Sequence, residues 1–217
     1  MAPENAIDLP ESIPLFPLPR VILLPRTYLP LNIFEPRYLA MVQDALASDR
    51  MIGMVQVDRD AGGGALCRTG GAGKIVSFHE TDDGRYQITL KGVSRFSLQG
   101  QPQLADGGYL RARPDWDSYR NDLSADVTTD ICRDKMIGAL YPYFEQMGMS
   151  CDQWEKIRSA DCESLVGTLS VVCPFSSAEK QALLEARTLS DRARLLLDFV
   201  EKATVDSCCK GDRDTCH

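Results

Sequence analysis

A chain of 217 residues, 44% apolar and 25% charged, can form one large domain or two small ones with a proper core, which excludes wholesale disorder. Its 24 Lys and Arg against 31 Asp and Glu leave a net charge of −7, and neither half has a basic excess: residues 1–117 carry −2 and residues 118–217 carry −5. That balance counts against a general nucleic-acid binder, whose affinity comes from neutralising phosphates.

The opening MAPENAIDLPES is acidic and lacks the basic flank of a signal peptide. No run approaches the ~18–20 apolar residues of a membrane span. Ile13 to Leu24 comes nearest, broken by Pro14, Pro17, Pro19 and Arg20. A cytoplasmic protein with no membrane partner is expected. Its eight cysteines then read as reduced thiols, and without a C-x-x-C pair the scattered Cys67, Cys132, Cys151, Cys162 and Cys173 read as small apolar residues.

In chain order, prolines forbid a helix in the first 30 residues but allow strand edges and polyproline-like connections. The apolar runs Leu15-Phe16, Val21 to Leu24 and Leu29 to Phe34 are therefore read as wall around a core. Leu29, Leu31 and Ile33 alternate with Pro30 and Asn32, a strand with one buried face. Pro36 suits the first turn of a helix whose stripe is Tyr38, Met41, Val42, Ala45 and Leu46. Ser48-Asp49 ends it, Met51 to Val57 reads as a strand, and Asp60-Ala-Gly-Gly-Gly reads as a flexible loop. KIVSFHETDDGRYQITLK predicts a hairpin with a three-residue loop, Asp82-Asp83-Gly84, and Gly84 in the left-handed position. That register sets Phe78 opposite Ile88 and Val76 opposite Leu90, and leaves His79 on the polar face with Ser77 and Gln87. Separate strands are expected at Val93 to Leu98 and Tyr109 to Pro114, giving five to seven strands plus one helix, a small barrel or sandwich.

After Trp116 the pattern turns helical. Val127, Ile131, Ile137 and Leu140 mark a first helix, kinked or ended near Tyr141-Pro142. A helix around Ser164 to Val172 stops at Cys173-Pro174. Ser176-Ser-Ala-Glu179 is a capping box, and Ser190 is expected to cap a last helix with Ala193, Leu196, Leu197 and Val200 inward. Three regions result: a β-rich one over residues 12–117, a helical one over 118–205, and a disordered tail over 206–217.

The succession IPLFPL, LPLNIFEPRYLAMVQDAL, GMVQV, GGAGKIVSF and DDGRYQITLKGVSRFSL resembles the N-terminal substrate-binding domain of the Lon proteases. Asp152-Gln-Trp154, CPFSSAEKQALLEA and LSDRARLLLDFV resemble its helical half, so the likeness runs from Ser12 to Ala203. One departure is Pro25-Arg26, where relatives usually have Pro-Gly. The resemblance implies an α+β chain: a PUA-like β pseudo-barrel with one inserted helix, then a helical bundle. In full proteases an ATPase and a serine–lysine peptidase follow this domain; here the chain stops, and a standalone, non-enzymatic relative is expected. The residues agree. Gly73-Lys74 is followed by Ile75, and Arg68 stands where a P-loop needs its first glycine, so GGAGK is a glycine-rich strand entry. No G-x-S-x-G and no H-E-x-x-H occurs.

Binding of unfolded client proteins or peptides, with delivery to a separate protease or chaperone, is the function this implies. No cofactor is expected. Phe16, Leu18 and Leu23 are the candidate apolar contact residues, with Arg37 beside them. Glu35, at the helix start, is expected to pair with Arg85 or Arg95. The tail offers Cys208, Cys209, Cys216 and His217 as soft ligands for zinc or copper(I), although adjacent cysteines fit one tetrahedral ion poorly. RNA binding and a small-ligand pocket are the alternatives.

Overall fold

The computed structural model describes residues 9–57, 64–124, 133–146 and 157–211, with side chains to Val205. Expectations placed on Asp60 to Gly63, Val127, Ile131, Cys132, Cys151, Trp154, Cys216 and His217 lie outside the described residues, as do the side chains of Cys208 and Cys209. The chain divides into two units, Met1–Ala125 and Asp126–His217.

The first unit is a mixed six-stranded sheet in the order β2-β5-β4-β3-β1-β6, with β5 also paired to β6. Its strands are β1 (Ile13–Pro17), β2 (Tyr28–Ile33), β3 (Met51–Val55), β4 (Thr69–Glu80), β5 (Tyr86–Leu104) and β6 (Leu110–Asp115). The second pairing of β5 closes β1, β3, β4, β5 and β6 into a barrel and leaves β2 as an added edge strand. β1 and β3 run parallel, with Leu15 opposite Gly53, and the other pairings are antiparallel. Inside the barrel sit Ile13, Leu15, Met51, Val55, Ala72 and Phe96. A second cluster packs helix α1 (Pro36–Leu46), through Tyr38, Met41, Val42 and Ala45, against Ile52, Ile75, Tyr86, Ile88 and Leu90.

Two strands expected to be separate are one. Tyr86 to Leu104 is a continuous 19-residue strand, because register shifts at Ala72/Gly73, where Val93 of β5 is the extra residue, and at Ile75/Ser77, where Val76 of β4 is, absorb the bend that closing a barrel demands. The shifts also correct the hairpin. Phe78 faces Ile88, as its spacing predicts, but Ile75 takes the place opposite Leu90 and Val76 bulges out, 50% exposed. The loop has the expected form: Thr81 N–H donates to Arg85 O, and Gly84 has φ 79°.

The glycines of β4 and β5 have a specific purpose. The segment between β1 and β2 crosses the sheet with Ile22, Leu23 and Leu24 buried. A methyl group on Gly71 would stand 1.8 Å from the Leu23 carbonyl oxygen, and one on Gly92 1.9 Å from that of Leu24. Gly92 also exchanges backbone hydrogen bonds with this segment, accepting from Arg26 N–H and donating to Thr27 O, each 2.8 Å. Arg26 holds φ 62°, a left-handed conformation easiest for glycine. Its Nη1 donates to Asp122 O at 2.8 Å.

Asp122 lies in a 3₁₀ turn, Asp117–Leu123, fixed to the barrel by a buried ion pair. Arg95 Nε and Nη2 donate to the two Asp122 carboxylate oxygens at 2.9 and 2.7 Å, and Arg95 N–H donates to the same group at 2.9 Å. The guanidinium stacks 4.5 Å from the Tyr119 ring centre, and Tyr119 Oη lies 3.2 Å from Thr69 Oγ1. Glu35 is therefore not the partner of Arg95, nor of Arg85, which pairs with Asp83; it pairs with Arg37 at 2.9 Å.

The second unit contains α2 (Arg133–Gln146), α3 (Cys162–Val172), α4 (Ser177–Glu185) and α5 (Leu189–Gly211). Pro142 does not end α2, since it lies inside the helix, which runs on to Gln146. The residue four before it is Gly138, which has open space where its side chain would be. The Ser176–Glu179 capping box is present in both directions. Ser190 does not cap α5. Thr188 does, its Oγ1 accepting from Asp191 N–H at 3.0 Å. A Thr-x-x-Asp box thus starts the helix two residues earlier than expected.

Substitution at the crossing tests this arrangement. Gly92→Ala and Gly71→Ala each force a methyl group into a backbone carbonyl and should each cost at least ~3 kcal/mol in urea unfolding. Gly84→Ala, with a positive φ but open space around it, should cost only about 1 kcal/mol.

Candidate functional site

The junction of β2 with α1 gathers exposed aromatic and cationic groups. Leu29, Leu31 and Ile33 take the inward phase of β2, so Phe34 falls on the outward one and is 62% exposed. Pro36 then starts α1, with Glu35 as its N-cap residue. Arg37 projects from the first turn, paired to Glu35 and placed 4.5 Å from the Tyr38 ring centre. Across the sheet edge, Ile33 pairs with Tyr86, and Arg85 sits 6.0 Å from the Phe34 ring. Tyr86 meets Phe78 edge-on at 5.0 Å, and Gln43 of α1 donates to its hydroxyl at 2.7 Å. Phe78 is 41% exposed.

Of the residues nominated from sequence, Phe16 and Leu23 are buried. Phe16 packs on Tyr38 at 4.3 Å, and Leu23 lies on the glycine floor. They are wall, not open contact surface. Leu18 is half-buried against the same cluster, and Arg37 is exposed. Phe34 and Phe78 were not nominated. The signal for Phe34 was its phase: an aromatic residue on the polar side of a period-two strand. The signal for Phe78 was its closeness to the hairpin loop, where an inward phase no longer means burial.

Among the described residues, the ionisable groups do not assemble a reactive centre. His79 is exposed opposite Gln87, as its register predicts. One buried group in the helical unit comprises Tyr143, Cys173 and Lys180. Burial pushes the Cys173 thiol up to about 11 and the Tyr143 hydroxyl further above its ordinary value, which is the reverse of nucleophile activation. Burial lowers Lys180 to about 8, with its Nζ donating to Ser170 O at 2.9 Å and to Val171 O. Those are terminal carbonyls of α3, so Lys180 is a helix C-cap. Among the described residues, no cluster of His, Cys, Asp and Glu forms a metal site, and no helix is long and apolar enough to cross a membrane.

The strand unit is thus a glycine-floored barrel with an exposed aromatic edge, and the second unit is helical. The comparisons identify the class. Residues 12–202 match the family model of the ATP-dependent protease La (LON) substrate-binding domain, and the chain belongs to that family. Lon protease 2 of Myxococcus xanthus is 26% identical over 98% of this chain and 27% of its own length. The Lon protease of Roseiflexus castenholzii is 30% identical over 92% of this chain and 25% of its own. The chain thus spans about a quarter of the length of these curated relatives. The N-terminal domain of the Mycobacterium avium complex Lon protease superposes with a TM-score of 0.63 at 21% identity, covering 87% of this chain and 97% of that one. A Lon N-terminal domain protein from Xanthomonas campestris gives 0.59 at 24%, covering 86% and 97%. At these identities the likeness is one of fold, and the fold is the α+β arrangement expected from sequence.

The buried thiol gives a test in alkali. Unfolded, Cys173 ionises around its ordinary 9.0; folded, it keeps its proton to about 11. Ionisation therefore favours the unfolded chain, and the stability contributed by this site falls as pH rises from 9 to 11. Cys173→Ala removes that loss. Its deficit relative to the parent should be roughly 2 kcal/mol smaller at pH 10.5 than at pH 8, measured by denaturant unfolding at the two pH values.

Proposed function

We propose that this chain is a non-catalytic recognition domain that binds exposed apolar segments of other proteins through the edge carrying Phe34 and Phe78. The observation that carries the reading is the pair of solvent-exposed rings, fixed by strand pairing and the start of α1, in a member of a substrate-binding family. An aromatic ring contributes large apolar area at low entropy cost, and a guanidinium beside it tolerates a polar rim. Arg85 and Arg37 supply that rim. Leu18 borders the same cluster and would extend the surface under an unfolded client. Bound segments would be held for, or handed to, a separate protease or chaperone.

The test uses a permanently unfolded probe, reduced and carboxymethylated α-lactalbumin, with binding read by fluorescence anisotropy. Phe34→Ala/Phe78→Ala should weaken binding about tenfold or more while the thermal midpoint changes little, since each exposed ring contributes on the order of 1 kcal/mol when covered. Unchanged affinity in the double variant would overturn the assignment. Binding in cell extract that is lost on nuclease treatment would replace it with RNA recognition.

A further inference from the structure

The far end of β5 forms a second constellation with β6. Gln99 pairs with Arg113 and Gln103 with Arg111, so three residues of β5, Gly100 to Pro102, face the single residue Ala112. Gly100 adopts φ 69° to make this bulge. Ala112 points into the barrel core, so Arg111 and Arg113 take the outward phase together with Gln99 and Gln103. These four side chains and Ser12 line a cleft of about 570 Å³. A second cleft, of about 750 Å³, shares the Gly100–Gln101 wall and adds Arg68, Leu66, Leu98, Pro102 and Leu110.

Three guanidinium groups thus border two adjoining clefts with no carboxylate among the lining residues, on a chain of net charge −7. Arg111 is held in place by Ser12, donating from Nη2 to its carbonyl at 3.1 Å and from Nε to its hydroxyl at 3.4 Å. Among the described residues, neither Arg68 nor Arg113 pairs with a carboxylate. Guanidinium forks match carboxylate and phosphate oxyanions alike. The rest of the lining decides between them. No aromatic ring lines either cleft, so a nucleobase has nothing to stack on. The glutamine amides, donor and acceptor together, complement a peptide backbone, and Gln99 and Gln103 share the outward face with Arg111 and Arg113.

We propose that the β5–β6 ribbon is a second peptide site, separate from the aromatic edge, that takes a peptide carboxylate on Arg111 and Arg113 and the adjoining peptide backbone on Gln99 and Gln103. The carboxylate comes from a chain terminus or from an acidic side chain, and three dye-labelled hexapeptides separate the sources: Ala-Ala-Ser-Ala-Leu-Leu as the free acid, the same peptide amidated, and an amidated version with Glu in place of Ser. Binding is read by anisotropy. The free acid, the Glu peptide or both should bind, and the neutral amide should bind at least about tenfold more weakly. Arg113→Gln, at an exposed position, should lower that binding about tenfold with an unchanged melting curve. Arg68→Gln should lower it less, and Phe34→Ala should leave it unchanged. Equal affinity for the neutral amide, indifference to Arg113→Gln, absence of binding by all three peptides, or tighter Arg113-dependent binding of a short single-stranded RNA would each overturn the proposal. Failure here leaves the Phe34–Phe78 reading standing, because that reading is probed with a different ligand and different variants.

Discussion

The strand unit depends on the passage of one stretch of main chain over another. Where Leu23 and Leu24 cross β4 and β5, backbone carbonyls lie nearly in contact with the α-carbons of Gly71 and Gly92, closer than any side chain permits. The crossing lays Leu23 on the outer face of the barrel and delivers the chain to β2. β2 in turn carries Phe34 to the surface and sets the start of α1. Close packing of backbone on backbone also needs its polar groups satisfied, since nothing else can reach them. Gly92 meets that demand with its paired bonds to Arg26 and Thr27. The left-handed Arg26 is the strained residue of the turn, and its guanidinium is engaged by the Asp122 carbonyl.

The same carbonyl belongs to the residue whose carboxylate neutralises Arg95. The side chains of the pair are only 5% and 8% exposed, so loss of either partner would strand a charge out of water, a cost of ~3–5 kcal/mol. Because the carboxylate also accepts from the Arg95 backbone N–H, the 3₁₀ turn is fastened to main chain as well as to a side chain. One aspartate therefore links the end of the strand unit, the middle of β5 and, through Arg26, the glycine crossing. The helical unit uses a parallel device. Lys180 of α4 donates to the last carbonyls of α3, and Arg192 of α5 donates to Leu183 O at 2.8 Å and Ala186 O at 3.3 Å at the end of α4. Helices α4 and α5 thus each close the helix before them with a buried cation, favoured by the negative end of the helix dipole.

Local patterns were legible in the sequence where one short-range rule decided them. The alternation of β2, the stripe of α1, the three-residue hairpin loop and the Ser176–Glu179 box each depend on neighbours within a few residues. Long-range packing was not legible. GGAGK could be freed of any nucleotide role by its missing residues, but nothing local says that Leu23 and Leu24 lie on it. Arg95 was visible only as part of a motif, and its partner is 27 residues away. Val93 to Leu98 looked separate because two bulges that sequence alone does not mark, one at Val93 within β5 and one at Val76 on its partner, let the strand continue. Phe16 and Leu23 are buried, in keeping with the reading of their apolar runs as wall, since strong apolar character most often means core. The exposed rings were the ones out of phase or beside the hairpin loop, a property of position and not of residue type.

Both proposed surfaces sit on the same strand, one beside Tyr86 at its start and one across Gln99 to Gln103 near its end. Strand β5 is hydrogen-bonded on both sides at its start, to β2 and β4 over Tyr86 to Lys91, and to β6 alone near its end, so the residues beside Tyr86 are presented with little conformational freedom left to lose. Association costs ordering of whatever is loose, and a rigid presenter places that cost on the ligand. A folded protein has little to gain from such a surface, since its own apolar groups are already covered. An unfolded segment has uncovered apolar groups and free backbone amides along its length, and it gains from each contact that a fixed array offers. Selectivity for unfolded chain would then arise without recognition of any particular sequence. A domain of this kind needs stiffness in its scaffold more than chemistry in its side chains. The glycine crossing and the Arg95–Asp122 pair supply that stiffness to the strand unit.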